Sequence, residues 1–171
     1  MPEIRRCTPA DASALALVGA ATFLESFAGI LAGANILEHC ANKHSEASYG
    51  TALAAPETAA WLAEVKGAPV GYALVTAPSE LPVPLQPGDL ELKRIYLLSR
   101  FHGQGTGMHL TEQARKFARA SGADRLLLGV YGENHRAIAF YRRQGFVEAG
   151  TRTFRVGQGI YHDLIFALHL D

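Results

Sequence analysis

The sequence predicts an α/β fold built on a mixed sheet, and three observations carry that expectation. Strand-like apolar runs and helical patterns follow one another in the order β-α-α-β-β-β-α-β-α-β-β over 171 residues. One run, Leu126-Leu127-Leu128, is continuously apolar, as a strand covered on both faces is. A glycine turn, Gly103-Gln104-Gly105-Thr106-Gly107, joins an apolar run to a helical pattern. The length suits one domain, spanning 1–171, with a substantial core.

A first strand is expected over 2–7. Thr8-Pro9-Ala10-Asp11 then reads as a helix start, with Thr8 as N-cap, Pro9 at the first helical position and Asp11 closing a capping-box-like arrangement. Leu15, Val18 and Thr22, and beside them Leu17, Ala21 and Leu24, recur at helical spacing. A weaker helical region covers about 34–55, broken near 42–45. Strands over 58–65 and 70–76 pair through Lys66-Gly67-Ala68-Pro69. Residues 79–88, with Pro82, Pro84 and Pro87, read as an irregular loop.

A strand over 90–98 enters the glycine turn, and Leu110, Ala114, Phe117 and Ala118 set the next helix face, which Ser121-Gly122 stops. A strand over 125–130 follows. Asn134 caps a helix through Ala137, Ile138, Phe140 and Tyr141, and Gly145 ends it with Phe146 in the place of a Schellman contact. Strands over 146–156 and 160–170 close the chain around Gly157-Gln158-Gly159.

Arg5 and Arg6 before the apolar run 12–24 imitate a signal peptide. Asp11 interrupts the junction, no small-residue cleavage site follows, and the run is helically periodic, so a helix of the mature protein is expected. No transmembrane span and no membrane partner are expected. Two cysteines, Cys7 and Cys40, are too few for a disulfide framework and point to a reducing cytoplasm. His39, Cys40 and His44 lack a second ligand pair at a matching spacing, so no metal is expected.

The net charge of zero hides an asymmetry. Residues 1–92 hold four basic side chains against ten acidic ones, and residues 93–143 hold ten basic against three acidic. A basic block around the glycine turn suits a polyanionic cofactor, and the acidic half could suit a cationic substrate, unless both are simply solvated faces. Glycines let backbone N–H groups approach a ligand, and a helix starting there aims its free N–H groups and positive dipole end at the same spot. The stretch therefore reads as a phosphate cradle. A P-loop ending in Gly-Lys-Ser/Thr and a G-x-G-x-x-G fingerprint are both missing, which ranks a nucleotide-binding domain well behind.

Ile95-Tyr96-Leu97, His102-Gly103-Gln104-Gly105-Thr106-Gly107 and the run from Asn134 through Ala137-Ile138-Ala139-Phe140-Tyr141-Arg142-Arg143-Gln144-Gly145-Phe146 resemble the GCN5-related N-acetyltransferase (GNAT) superfamily. The glycine loop, Gly129-Val130 and the run 150–165 look most like PaiA-type spermidine/spermine acetyltransferases. The resemblance implies a mostly antiparallel seven-stranded sheet flanked by helices and split like a V between the strands ending at Leu97 and Val130. It implies acetyl-CoA in the gap. The main chain of Ile95, Tyr96 and Leu97 would bond the pantetheine arm. His102 and the N–H groups of Gly103, Gln104, Gly105, Thr106, Gly107 and Met108 would hold the pyrophosphate. Asn134 would contact the cofactor arm, and Tyr141 would stand near the thioester sulfur as proton donor.

Two departures stand out. His102 replaces the Gln or Arg that opens the family's loop, weakening one phosphate contact. Lys93 occupies the position where many relatives carry a glutamate base, which moves the expected base to Glu91, two residues earlier on the same strand face, acting through water. Lys93 also argues against an unmodified polyamine pocket. From the residues alone, Tyr141 could be a core aromatic, Asn134 a plain cap, and Glu91 a solvent-facing strand residue. The expected activity is acetyl transfer from acetyl-CoA to a primary amine of a small molecule, polyamine-like or amino-acid-derived. The alternatives are a catalytically weak acetyl-CoA-sensing module and an enzyme acting on a protein amine. No nucleic-acid partner is expected, and the long C-terminal strands could pair a homodimer.

Overall fold

The computed structural model describes residues 1–156 and 158–171. Seven strands form one sheet: β1 Glu3–Arg6, β2 Ala59–Val65, β3 Ala68–Thr76, β4 Leu90–Leu97, β5 Arg125–Tyr131, β6 Val147–Val156 and β7 Gly159–His169. The helices are α1 Ala12–Phe27, α2 Gly33–Lys43, α3 Glu46–Ala54, α4 Thr106–Ala120 and α5 His135–Arg143. The expected region 34–55 is therefore two helices. The break falls at Ser45, whose side chain caps α3 by accepting from the Ser48 N–H at 3.1 Å. Of the expected C-terminal turn, Gly157 lies outside the described residues.

The sheet order is β1-β2-β3-β4-β5-β7-β6, and only β4 and β5 run parallel. Helices cover both faces, so strand residues of both parities are apolar. Trp61, Ala73, Leu92, Leu126 and Phe166 meet Leu110 and Ala114 of α4 and Ile138 of α5. On the other face Leu62, Tyr72 and Leu74 meet Leu15 and Val18 of α1 and Tyr49 of α3. The proline loop completes that second layer, with Leu81 and Val83 over Leu127, Ile165 and Ala167.

The expected helix ends are present. Asp11 Oδ2 accepts from the Thr8 N–H at 2.7 Å. Asn134 Oδ1 accepts from the Ala137 N–H at 3.1 Å. The end of α5 is a Schellman turn: the Phe146 N–H reaches the Tyr141 carbonyl, the Gly145 N–H reaches that of Arg142, and Gly145 has φ +90°. On α1, the Leu15–Val18–Thr22 row is buried, whereas Leu17 and Leu24 of the second row are exposed. The stretch Pro9–Phe27, counted with its leading 3-10 turn, is long and apolar enough to cross a membrane by length and composition, which the sequence reading did not anticipate. In the fold its Leu15–Val18 face packs on the sheet.

The proline loop is tied down by a buried ion pair. Arg125 of β5 donates to Asp89 at 2.6 and 3.0 Å, and Asp89 also accepts from the Gln86 N–H at 2.7 Å. Burial pushes the Asp89 carboxyl up, but Arg125 and the Gln86 N–H outweigh it and hold the group below its ordinary value. The stability this contributes is complete above the ordinary carboxylate range and is lost as pH falls through the lowered native value. Asp89→Ala leaves Arg125 uncompensated and is expected to cost about 3–5 kcal/mol in urea unfolding at pH 7. The variant should also lose this share of the acid dependence, and a loss below about 1 kcal/mol would show that the pair does not hold the loop.

Candidate active site

β4 and β5 pair only at Leu90–Leu126 and Glu91–Leu127. Beyond those positions they part, and the opening is a cleft of about 1500 Å³. One wall is the free edge of β4. Ile95, Tyr96 and Leu97 pair with Ala73, Tyr72 and Gly71 of β3, while no strand meets their other side. Gly71 permits this close pairing, since a Cβ there would stand 2.8 Å from the Tyr96 carbonyl oxygen.

At the end of that edge lies the glycine turn. Gly103 and Gly105 have φ +77° and +83°, the left-handed region that glycine enters without steric cost. A Cβ on either would meet nothing within 4 Å, so the space in front of the turn is open. The backbone N–H groups of Gly103 and of residues 105–108 find no backbone acceptor among the described residues. Thr106 Oγ1, at the first position of α4, is buried and unpaired as well. Orphan donors at a helix N-terminus, with the dipole's positive end behind them, fit the phosphates of a cofactor such as acetyl-CoA. Gly103, Gly105, Gly107 and Met108 line the cleft, whereas Gln104 and Thr106 do not. His102 lines it too, but its Nε2 lies 2.6 Å from the Leu97 carbonyl oxygen, so the ring also fastens the turn to the end of β4.

The opposite wall is β5 and α5. Asn134 caps α5 and lines the cleft at once. Tyr141 is held by Phe140, Phe146 and Phe166 at ring distances of 5.4, 5.7 and 6.4 Å. Burial, with Tyr96 nearby, raises its hydroxyl well above the usual tyrosine value, which keeps the group protonated. Arg136 and Arg143 line the cleft, and Arg142 is ion-paired to Glu148.

The expected base is elsewhere. Glu91 does not line the cleft, and at 3% exposure it is not a solvent-facing residue either. Its Oε2 accepts from the Ser79 N–H at 3.0 Å and its Oε1 is 3.7 Å from Lys93 Nζ. Burial raises its pKa, opposed by Lys93 and the Ser79 N–H. The residue that does reach the cleft is Lys93, beside Arg94. The register shows why: Leu74 pairs with Arg94 and Val75 with Leu92, so Lys93 is the extra residue of a bulge.

The remaining wall comes from α1 to α3, where residue patterns carried no cofactor or catalytic signal. His39 stacks on Phe23 at 4.1 Å. His44 Nδ1 lies 2.8 Å from the Tyr49 hydroxyl, which donates to Tyr72 at 3.0 Å. Gly19 of α1 makes room for this chain, because a Cβ there would sit 2.5 Å from both His44 Nδ1 and the Tyr49 oxygen. Arg152 and Asp163, opposite each other on β6 and β7, pair at 2.6 Å and line the cleft as well. In sequence His39, Cys40 and His44 lie close together, but no metal set is expected from them. Among the described residues no metal-competent group of three or more side chains exists, and both cysteines are free.

Burial first, then Arg94 and His39, push the His44 ring down to about 3. The ring should therefore stay neutral at pH 5, as read from its ¹⁵N shifts. Because the unfolded state takes up this proton first, stability should fall as pH drops from about 6.5 towards 3. A His44 signal titrating above pH 6 would contradict the closed arrangement.

Residues 31–146 match the acetyltransferase (GNAT) family. An uncharacterized N-acetyltransferase of Mycobacterium bovis is 34% identical over 160 residues, covering 94% of this chain and 98% of the relative. Among solved structures, the PaiA N-acetyltransferase of Thermoplasma acidophilum in complex with coenzyme A superposes with a TM-score of 0.80 at 20% identity over 99% of both chains. YncA of Salmonella typhimurium with its cofactor acetyl-CoA gives 0.72 at 17% identity, covering 100% of this chain and 95% of the other. At these identities the structural likenesses speak to the fold.

Proposed function

Because this chain belongs to the acetyltransferase (GNAT) family, and is by that membership an acetyl-CoA-dependent N-acetyltransferase, we propose that it transfers the acetyl group to a primary amine of a small molecule, polyamine-like or amino-acid-derived. The observation that carries the reading is the junction of the parted β4–β5 edge with the unpaired N-terminus of α4. One opening thus offers strand-like backbone groups for an amide-bearing arm and free N–H donors for its phosphates. We read residues 1–171 as one such domain, working in a reducing cytoplasm, with the β6 edge as the place where a second subunit would pair.

In this reading acetyl-CoA supplies an activated thioester whose carbonyl carbon the amine attacks directly. Ile95, Tyr96 and Leu97 hold the pantetheine arm through their main chain, although the Leu97 carbonyl already faces His102. His102, Gly103, Gln104, Gly105, Thr106, Gly107 and Met108 form the phosphate cradle. Asn134 contacts the arm. A backbone N–H near Tyr96 is the donor for the negative charge that develops on the carbonyl oxygen. Tyr141, protonated and rigidly packed, gives its proton to the departing sulfur.

The amine must lose a proton before attack. Glu91, whose raised pKa suits a proton acceptor, takes it through water from behind Lys93. This arrangement makes Lys93 part of the path between Glu91 and the cleft.

Incubation with acetyl-CoA and a panel of amines, following free thiol, tests the activity. Release with at least one small amine is expected, and tight acetyl-CoA binding with no release from any amine overturns the reading in favour of a sensing module. Tyr141→Phe is expected to lower kcat about 100-fold with little change in KM for acetyl-CoA. An unchanged kcat under chemistry-limited conditions removes Tyr141 as the acid. Glu91→Gln should alter the pH dependence of kcat/KM, and an identical profile removes Glu91 from the proton path.

A further inference from the structure

A second pocket of about 320 Å³ opens beside the cleft, between α3 and the adjoining ends of β3 and β4. Ser48, Ser79, Lys93 and Arg94 line both spaces, which makes the pocket a side chamber of the cleft. Deeper in, Ala52, Leu74 and Thr76 form its wall, and none of its lining residues is acidic. From its place beyond the β4 bulge, and resting on the acetyl-transfer reading, we infer that the acceptor amine carries a carboxylate, which docks on Arg94 and Lys93 at the mouth of this chamber.

The state of the charged groups supports this. Arg94 donates through Nη1 to the Lys43 carbonyl oxygen at 3.1 Å and lies 5.2 Å from the centre of the Tyr49 ring. Those contacts orient the guanidinium and leave most of its five N–H donors uncommitted. Among the described residues no carboxylate stands within 4.0 Å of it. A planar fork held on an aromatic ring and facing a cavity is suited to a carboxylate, which it can grip through two parallel hydrogen bonds. Lys93 Nζ is placed by Ser79 Oγ at 2.8 Å, and its contact with Glu91 is longer, at 3.7 Å. Arg152, which also lines the cleft, is committed to Asp163 at 2.6 Å.

The acidic character of residues 1–92 does not reach this place. Asp11 and Glu64 are spent on Arg5, Asp89 on Arg125, and Glu91 lies beneath Lys93. Of that half only Glu25 and Glu80 line the cleft, and Glu25 accepts from the Ser99 N–H and hydroxyl. A polyamine would bring a second positive charge to two cations at the chamber mouth. An amine with a carboxylate brings the complementary charge, and its ammonium stays free to turn towards the thioester. Burial first, and Arg94 after it, lower the pKa values of His39 and His44.

The test is calorimetric binding to the CoA-loaded protein of amines matched except for the carboxylate: phenylalanine against phenethylamine, and lysine against cadaverine. In at least one pair the acid should bind tenfold or more tightly. Arg94→Gln should remove that preference, and Lys93→Met, a second variant that keeps the Arg94–Tyr49 packing, should reduce it several-fold. The melting temperature of each variant separates lost recognition from lost folding. No preference in either pair, or a preference untouched in both folded variants, overturns the inference, as does tighter binding of O-phosphoethanolamine than of β-alanine. Thiol release in the same samples reports on acetyl transfer separately. Release with cadaverine and phenethylamine at rates equal to the acids sinks the carboxylate site and leaves acetyl transfer standing. A carboxylate preference in binding with no release from any amine does the reverse.

Discussion

Two residue pairs, Leu90 with Leu126 and Glu91 with Leu127, are all that join the parallel strands β4 and β5. A parallel pair that continued would bury its backbone groups in a ladder and leave no room for a ligand. Here the pairing stops after its first turn, and the unpaired half of β4 keeps its hydrogen-bonding groups for something else. The sheet survives the split because each half is closed on its other side. β4 is paired with β3 along its length, and β5 with β7 from Arg125 to Tyr131. The helices then take the place of the missing ladder: α4 rises from the end of β4 and α5 from the end of β5. Their N-terminal ends, with Gly105 and Asn134, meet at the opening.

The second constraint is the bulge at Lys93. One extra residue between Leu92 and Arg94 restores the apolar parity of Ile95 and Leu97 against α4. It also sets two cations side by side on the wall facing α1 to α3. Without it, Arg94 would share the face of Leu92 and meet the core. The same irregularity therefore keeps the strand buried and sets the charge of this wall of the cleft. That charge is maintained because nearby acids are used elsewhere, in ion pairs with Arg5 and Arg125 and in the buried contact of Glu91 with Ser79 and Lys93.

A third feature is the polar chain His44–Tyr49–Tyr72, which packs three hydroxyl and ring groups between α1, α3 and β3. Such groups are tolerated in a core when each finds a partner. Gly19 lets them approach the helix backbone, and neutral His44 completes the chain without burying a charge. This wall of the cleft is thus hydrogen-bonded through to the sheet.

Element boundaries were legible because period, caps and glycines are local: Ser121-Gly122 after α4, Gly145 after α5 and the apolar runs of β2 and β3 needed no distant information. The glycine turn, and the places of Asn134 and Tyr141 on α5, were legible for the same reason, and all of them line the cleft. What sequence could not supply was register. The bulge that exposes Lys93 and Arg94, the facing of Arg152 and Asp163 across β6 and β7, and the burial of Glu91 under residues 79–83 all depend on which residue of one strand meets which of another. His39 and His44 joined one wall, with Tyr49 buried behind His44, only when two short helices folded over the sheet. The sequence by itself determined the elements and the glycine turn that opens on the cleft, since those rest on contacts a few residues apart. Tertiary structure alone decided the remaining wall, because its charges and aromatics converge from α1, α2, β4, β6 and β7, and only packing brings them together.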